Sequence, residues 1–215
     1  NSFQYMTAAT ILWDVPTTFP TSPPFTPVNV NRQFNGAVPL RFALANNHNV
    51  AATKALAFTG LERWVETAQR MGIRFLPNAQ FGLPSALGIN EVRLFDMQQA
   101  YATRANSGNR VTQFPITRIV DASGADVALP AITPPSTTVQ PQIAFLMQNI
   151  LADNDARAAA YGSNSALNIP EFGGRVAAMS GNSDGARDLW TLGFTGNRVV
   201  GVWMGNINST PTGAN

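Results

Sequence analysis

Residues 173–205, GGRVAAMSGNSDGARDLWTLGFTGNRVVGVWMG, constrain the fold more than any other part of the chain. They predict three short strands, over 175–179, 189–194 and 199–204. Each is rich in β-branched, aromatic or aliphatic residues, and clusters of Gly, Asn and Asp punctuate them. Thr195-Gly196-Asn197 is a tight connection, so the second and third strands pair antiparallel.

A chain of 215 residues fits one domain with a real core, and we read 1–215 as a single domain. Apolar content is ordinary at 45%, but charged residues make up only 12%, half the about 25% usual in globular proteins. Neutral polar side chains must therefore cover the surface, and little like-charge repulsion keeps copies apart. Net charge is +2, Lys54 is the only lysine, and no basic run interleaves with aromatics. This argues against a nucleic-acid partner. With no cysteine and one histidine, neither a disulfide nor a zinc site is expected, and no cofactor is called for. No run of about 18 apolar residues spans a membrane. No leader is visible at Asn1, and no internal repeat is found.

In chain order, Pro16, Pro20, Pro23, Pro24 and Pro27 force extended or turn geometry. Asn35-Gly36 marks a turn, and 38–46 opens a helical region with Pro39 suited to its first turn. Helices are expected over 49–58 and 61–71, with Gly60 and Gly72 at their ends. A Gly-Pro loop at 81–88 precedes a long helix over 91–106. Asn90 is its expected N-cap, and Leu94, Met97 and Tyr101 form its apolar stripe. Two short strands flank the turn Asp121-Ala122-Ser123-Gly124. A Pro/Ser/Thr loop at 130–141 leads into a helix over 140–152, which 153–161 either extends or breaks. Asp153-Asn154-Asp155 lacks the glycine and glutamate of a calcium loop and reads as a helix-terminal polar cluster. Trp190 and Trp203 read as core residues. Residues 206–215 are polar and rich in turn formers.

Several segments resemble penicillin-binding-protein transpeptidase domains, over 11 to about 212. Ile11-Leu12-Trp13-Asp14-Val15-Pro16-Thr17-Thr18-Phe19 is similar to the "ϕ-x-Asp-Val-Pro-Thr-Thr-Phe" segment of the large, glycosyltransferase-linked members. Residues 38–54 resemble a helical run carrying a Ser-x-Asn motif, here Asn47-His48-Asn49. Met179-Ser180-Gly181-Asn182 stands where the family has Lys-Thr-Gly. Asp188-Leu189-Trp190-Thr191-Leu192-Gly193-Phe194-Thr195 and Val202-Trp203-Met204-Gly205 resemble the two strands that follow.

The resemblance implies an α+β fold of the penicillin-binding transpeptidase and serine β-lactamase kind, an antiparallel sheet flanked by helices. Relatives have five strands. By that comparison the first two strands, the nucleophile-bearing helix and a last helix lie outside this chain.

The resemblance also implies a chemistry, and the motifs depart from it. Family members acylate the serine of a Ser-x-x-Lys motif, with protons handled by Ser-x-Asn and positive charge supplied by Lys-Thr-Gly. No Ser-x-x-Lys occurs here, and by family order it would precede Asn1. Asn47 replaces a proton-handling hydroxyl, while Asn49 is kept. Met179 replaces the lysine, and a thioether neither titrates nor pairs a carboxylate. Ser180 keeps a hydroxyl, and Gly181 keeps the strand open to close approach. Losing one member of a catalytic unit commonly costs orders of magnitude in rate. Asn47, His48, Asn49, Met179, Ser180, Gly181 and Asn182 therefore form the expected degenerate cleft, with no catalytic residue assigned. A His48–Ser180 pair would be a rescue; the plainer reading puts His48 in the variable middle of the old motif. Lys54 reads as a solvated helix lysine.

Three functions stay open. One is an extracytoplasmic pseudoenzyme serving as a structural or self-assembling module. Its sheet would be completed by another copy or chain along the strand from Arg198 to Gly205, whose open edge would recruit one. The second is a fragment of a peptidoglycan DD-transpeptidase whose Ser-x-x-Lys lies elsewhere. The third is noncovalent recognition of cell-wall peptide through Asn49, Ser180 and Asn182.

Overall fold

The structure, a computed structural model, describes residues 5–129, 131, 134–173 and 175–213. Parts of three sequence expectations fall outside the described residues: Pro130, Ile132 and Thr133 of the Pro/Ser/Thr loop, Gly174, and the ends at 1–4 and 214–215.

A hairpin-like pair, β1 (Ile11–Asp14) and β2 (Gly36–Pro39), brackets the proline-rich stretch, and Trp13 lies opposite Ala37. The expected helix at 38–46 is thus part strand. Its first two residues pair with β1, and α1 (Leu40–Ala45) begins after Pro39. Then come α2 (Asn49–Thr59) and α3 (Leu61–Arg70), separated by Gly60. After a 3-10 turn at Leu83–Leu87 comes α4 (Leu94–Ala105). Four two-residue strands follow: β3 (Asn109–Arg110), β4 (Ile119–Val120), β5 (Asp126–Val127) and β6 (Ser136–Thr137). β4 and β5 are the pair expected around Asp121–Gly124, and β3 pairs with β6.

Pro141 opens α5 (Pro141–Leu151) from the first-turn position where its missing N–H costs nothing. Asp153 then interrupts the helical run. Its carboxylate accepts from the Ala156 N–H at 2.9 Å and caps a separate helix, α6 (Asn154–Tyr161).

The sheet at the C-terminal end has the order β7-β8-β9 and is antiparallel throughout: β7 (Ala177–Asn182), β8 (Asp188–Phe194), β9 (Val199–Gly205). β7 runs later than sequence pattern suggests. Gly181 and Asn182 are weak strand formers, but the ladder carries them opposite Trp190 and Leu189. Residues alternate across a strand, and one face is packed. Ala177, Leu192 and Phe194 are buried with Tyr101 of α4 and Leu151 of α5, and Met97, Met179, Trp190 and Val199 pack around them. Tyr101 meets Phe194 edge to face at 5.9 Å. Gly201 lets α4 lie against β9. A Cβ there would stand 2.9 Å from Gln98 Cγ and 3.0 Å from Leu94 Cδ1. On the other face Val200, Val202 and Met204 are exposed. Among the described strands β9 pairs only with β8.

α4 starts three residues after the sequence expectation, and Asn90 does not cap it; its side chain donates to the Gln80 carbonyl instead. Asp96 in the first turn is buried and takes hydrogen bonds from Arg93 and Arg74, with Arg93 Nη2 at 2.8 Å. No described helix is long and apolar enough to cross a membrane.

Candidate functional site

The site is built where α1 ends, α6 ends and β7 presents its outward edge. α1 closes in a Schellman turn. The His48 N–H donates to the Ala43 carbonyl at 3.0 Å and the Asn47 N–H to Leu44 at 3.4 Å. Asn47 occupies the left-handed position, φ +55°. Asparagine tolerates that conformation better than other side chains apart from glycine. Asn46 beside it fastens the turn to α6. Its Nδ2 donates to the Ala156 carbonyl at 2.7 Å, and its Oδ1 accepts from the Ala160 N–H at 2.9 Å.

That turn aims Asn47 at β7. Both hydrogens of its amide are used. Nδ2 donates to the Ser180 carbonyl at 3.2 Å and to the Tyr161 phenol oxygen at 2.6 Å. Ser180 Oγ donates to the same phenol oxygen at 3.1 Å. Two residues earlier on the strand, the Ala178 carbonyl accepts from Arg157 Nη1 at 3.1 Å, and Arg157 Nη2 holds the Leu151 carbonyl at 2.6 Å. Arg157 is buried; burial pushes its guanidinium pKa down, and Tyr161 and Asp153 offset part of that.

Met179 lies between these two carbonyls in sequence, and its side chain packs against the Leu192–Phe194 core cluster. Gly181 and Asn182 are exposed at the end of β7, and open space lies where a Gly181 Cβ would stand.

His48 and Asn49 turn elsewhere. His48 is buried, stacks edge-on against Phe42 at 5.6 Å, and puts Nδ1 3.4 Å from Asp14 Oδ2. Asn49 begins α2, and its amide donates to the Val28 carbonyl at 2.8 Å. The structure thus brings Asn47 and Ser180 together, directs His48 and Asn49 toward the β1 side, and leaves Asn182 at the open end. Lys54 Nζ donates to the Trp13 carbonyl.

Asp14 is fully buried. Burial pushes its carboxyl up, but hydrogen bonds from Asn35 and Asn29 outweigh it and hold the pKa below the usual value. His48 is pushed below its usual range by burial, with the Asp14 charge offsetting part of the effect.

Asn46, Tyr161 and Arg157 carry the arrangement and were not singled out from sequence. Asn46 had a local signal, since an Asn-Asn pair at a helix end marks a C-cap. Tyr161 had none, because it meets a residue 114 positions away. With His48 turned toward Asp14, the other cleft positions carry amide, thioether and hydroxyl side chains, none of them a base near neutral pH, and Tyr161 adds a phenol. No cluster of three or more His, Cys, Asp or Glu residues able to hold a metal occurs among the described residues.

No protein-family profile matches the chain. Curated proteins do. Penicillin-binding protein 1A of Neisseria lactamica is 29% identical over 209 residues, covering 93% of this chain and 25% of that protein. Penicillin-binding protein 4 of Bacillus subtilis is 28% identical over 196 residues, covering 87% and 29%. The chain thus spans about a quarter of the length of these relatives. Among solved structures, penicillin-binding protein 1A from Haemophilus influenzae superposes with a TM-score of 0.76 at 20% identity, over 95% of this chain and 35% of that one. The penicillin-binding protein PonA1 from Mycobacterium tuberculosis gives 0.75 at 22% identity, over 94% and 56%. In sequence the chain is similar to penicillin-binding proteins, and its α+β fold matches their transpeptidase-domain structures.

Proposed function

We propose that this is an extracytoplasmic transpeptidase-like domain that does not itself run serine acyl transfer and acts as a structural module of the cell envelope. One observation carries the reading. At the two motif positions where the family places proton-handling and cationic groups, Asn47 is hydrogen bonded to Ser180 and Tyr161, and the half-buried Met179 packs against the core. An amide cannot relay the hydroxyl proton, and a thioether cannot supply the charge. The envelope location is supported by the relatives, which are penicillin-binding proteins. Completion of the sheet along β9 by another segment or chain belongs to the same reading. It is supported by the exposed Val200, Val202 and Met204 beside an uncharged strand edge.

A second reading is favoured by the lengths. The chain matches about a quarter of its curated relatives, so a nucleophile elsewhere in the gene product would make it part of a transpeptidase. Incubating the intact gene product with a fluorescent penicillin separates the two. Absence of a covalent adduct supports the module, and a serine adduct establishes the enzyme.

A further inference from the structure

We propose that Asn47, Tyr161 and Ser180 form a latch that closes the outward edge of β7, releasing as a unit while Arg157 keeps the buried end of the strand fixed. The argument starts from the strand's polar groups. Among the described strands β7 has one partner, β8, so its other edge needs side chains or water to satisfy it. The protein supplies side chains, and unequally. At Ala178 the donor is the buried Arg157, which also holds Leu151 and so ties α5, α6 and β7 together. At Ser180 the donor is a half-buried amide at 3.2 Å, shared with a phenol that reaches only the Ser180 hydroxyl at 3.1 Å. At Asn182 the strand end is exposed. The edge therefore grades from sealed through latched to open over five residues.

The same three groups share atoms. Tyr161 Oη contacts both Asn47 Nδ2 and Ser180 Oγ, so removing the phenol hydroxyl takes one contact from each side chain, while Asn46 still holds the turn to α6. Water can replace each contact once the groups part, which keeps the cost of opening low. The latch does not depend on whether the domain is catalytic.

Hydrogen exchange tests it on the chain carrying Asn47→Ala, Tyr161→Phe and both together. Each single variant is expected to speed exchange about tenfold across 180–183, a loss of one to two net hydrogen bonds. The double variant should add little, because one unit has been broken. Exchange at 193–194, opposite the end that Arg157 holds, should stay unchanged. An unchanged rate at 180–183 overturns the latch. So does a speed-up equal at 180–183 and 193–194, which would mean general loosening, or strictly additive singles. Penicillin labelling reads the chemistry and exchange reads the latch, so either idea can fail alone.

Discussion

His48 Nδ1 lies 3.4 Å from Asp14 Oδ2, and both side chains are sealed from solvent. Asp14 also takes Asn29 Nδ2 at 2.8 Å and Asn35 Nδ2 at 2.8 Å, while His48 Nδ1 has no hydrogen bond among the described residues. The pair joins β1 to the turn that aims Asn47. Its pH dependence can be signed. In the unfolded chain the imidazole titrates near 6.5, and in the folded protein burial holds it lower despite Asp14. The folded state thus binds fewer protons, and stability is complete above about pH 6.5 and falls as pH drops below it. The melting temperature should decline from pH 7 to 5, and His48→Leu should flatten that slope. Equal slopes in both proteins would refute the assignment.

Asp96 governs a more acidic window. Burial pushes its carboxyl up, but Arg93 and Arg74 outweigh it and hold it below 3.8. Its contribution is present above the unfolded value and lost as pH falls through the folded one. Asp14 behaves in the same way. Asp96→Ala should cost about 1–3 kcal/mol at neutral pH, the scale of hydrogen bonds to a charged group. Urea unfolding at pH 7 and pH 3 measures both claims, and the difference between the two proteins should shrink in acid.

Gly201 is where α4 touches β9. With Gln98 Cγ 2.9 Å and Leu94 Cδ1 3.0 Å from a Cβ built there, Gly201→Val must displace the Gln98 and Leu94 side chains. Overpacking of this kind should cost about 1–3 kcal/mol. Chemical denaturation checks it. A neutral substitution would mean that the contact is loose.

Met179 fills core space at a position that the resemblance would give to lysine. Met179→Ala should cost about 1–2 kcal/mol, below the full-burial range because the side chain is only half-buried. If stability is unchanged, the thioether is not packed as described, and the case against a functional cleft weakens.

The β9 edge makes a solution-state prediction. Val200, Val202 and Met204 are 61%, 54% and 54% exposed on a strand with no charge or proline to discourage pairing. Light scattering at tens of micromolar should show an associated species, and Val202→Lys should shift it toward monomer. A monodisperse monomer of the unaltered chain would sink this assembly.

Much of the fold was legible because its signals are local. Runs of β-branched, aromatic and aliphatic residues within 189–204 predicted β8 and β9, helical spacing predicted α3 and α5, and Asp121–Gly124 predicted the β4–β5 hairpin. Boundaries slipped where a partner overrode propensity. Gly181 and Asn182 joined β7 because β8 offered a ladder, and 38–39 became strand because β1 did.

Sequence alone determined which chemical groups stand at the cleft positions: an amide at 47, a thioether at 179 and a hydroxyl at 180. Residue type settles what can hold a proton or a charge. Only the tertiary structure decided where those groups point. Asn47 reaches Ser180 across 133 residues, Tyr161 closes the triangle, and His48 turns away to Asp14. The physical reason is that a side chain's direction is set by the backbone turn beneath it and by the partners within reach. Both come from segments that the chain brings together only on folding.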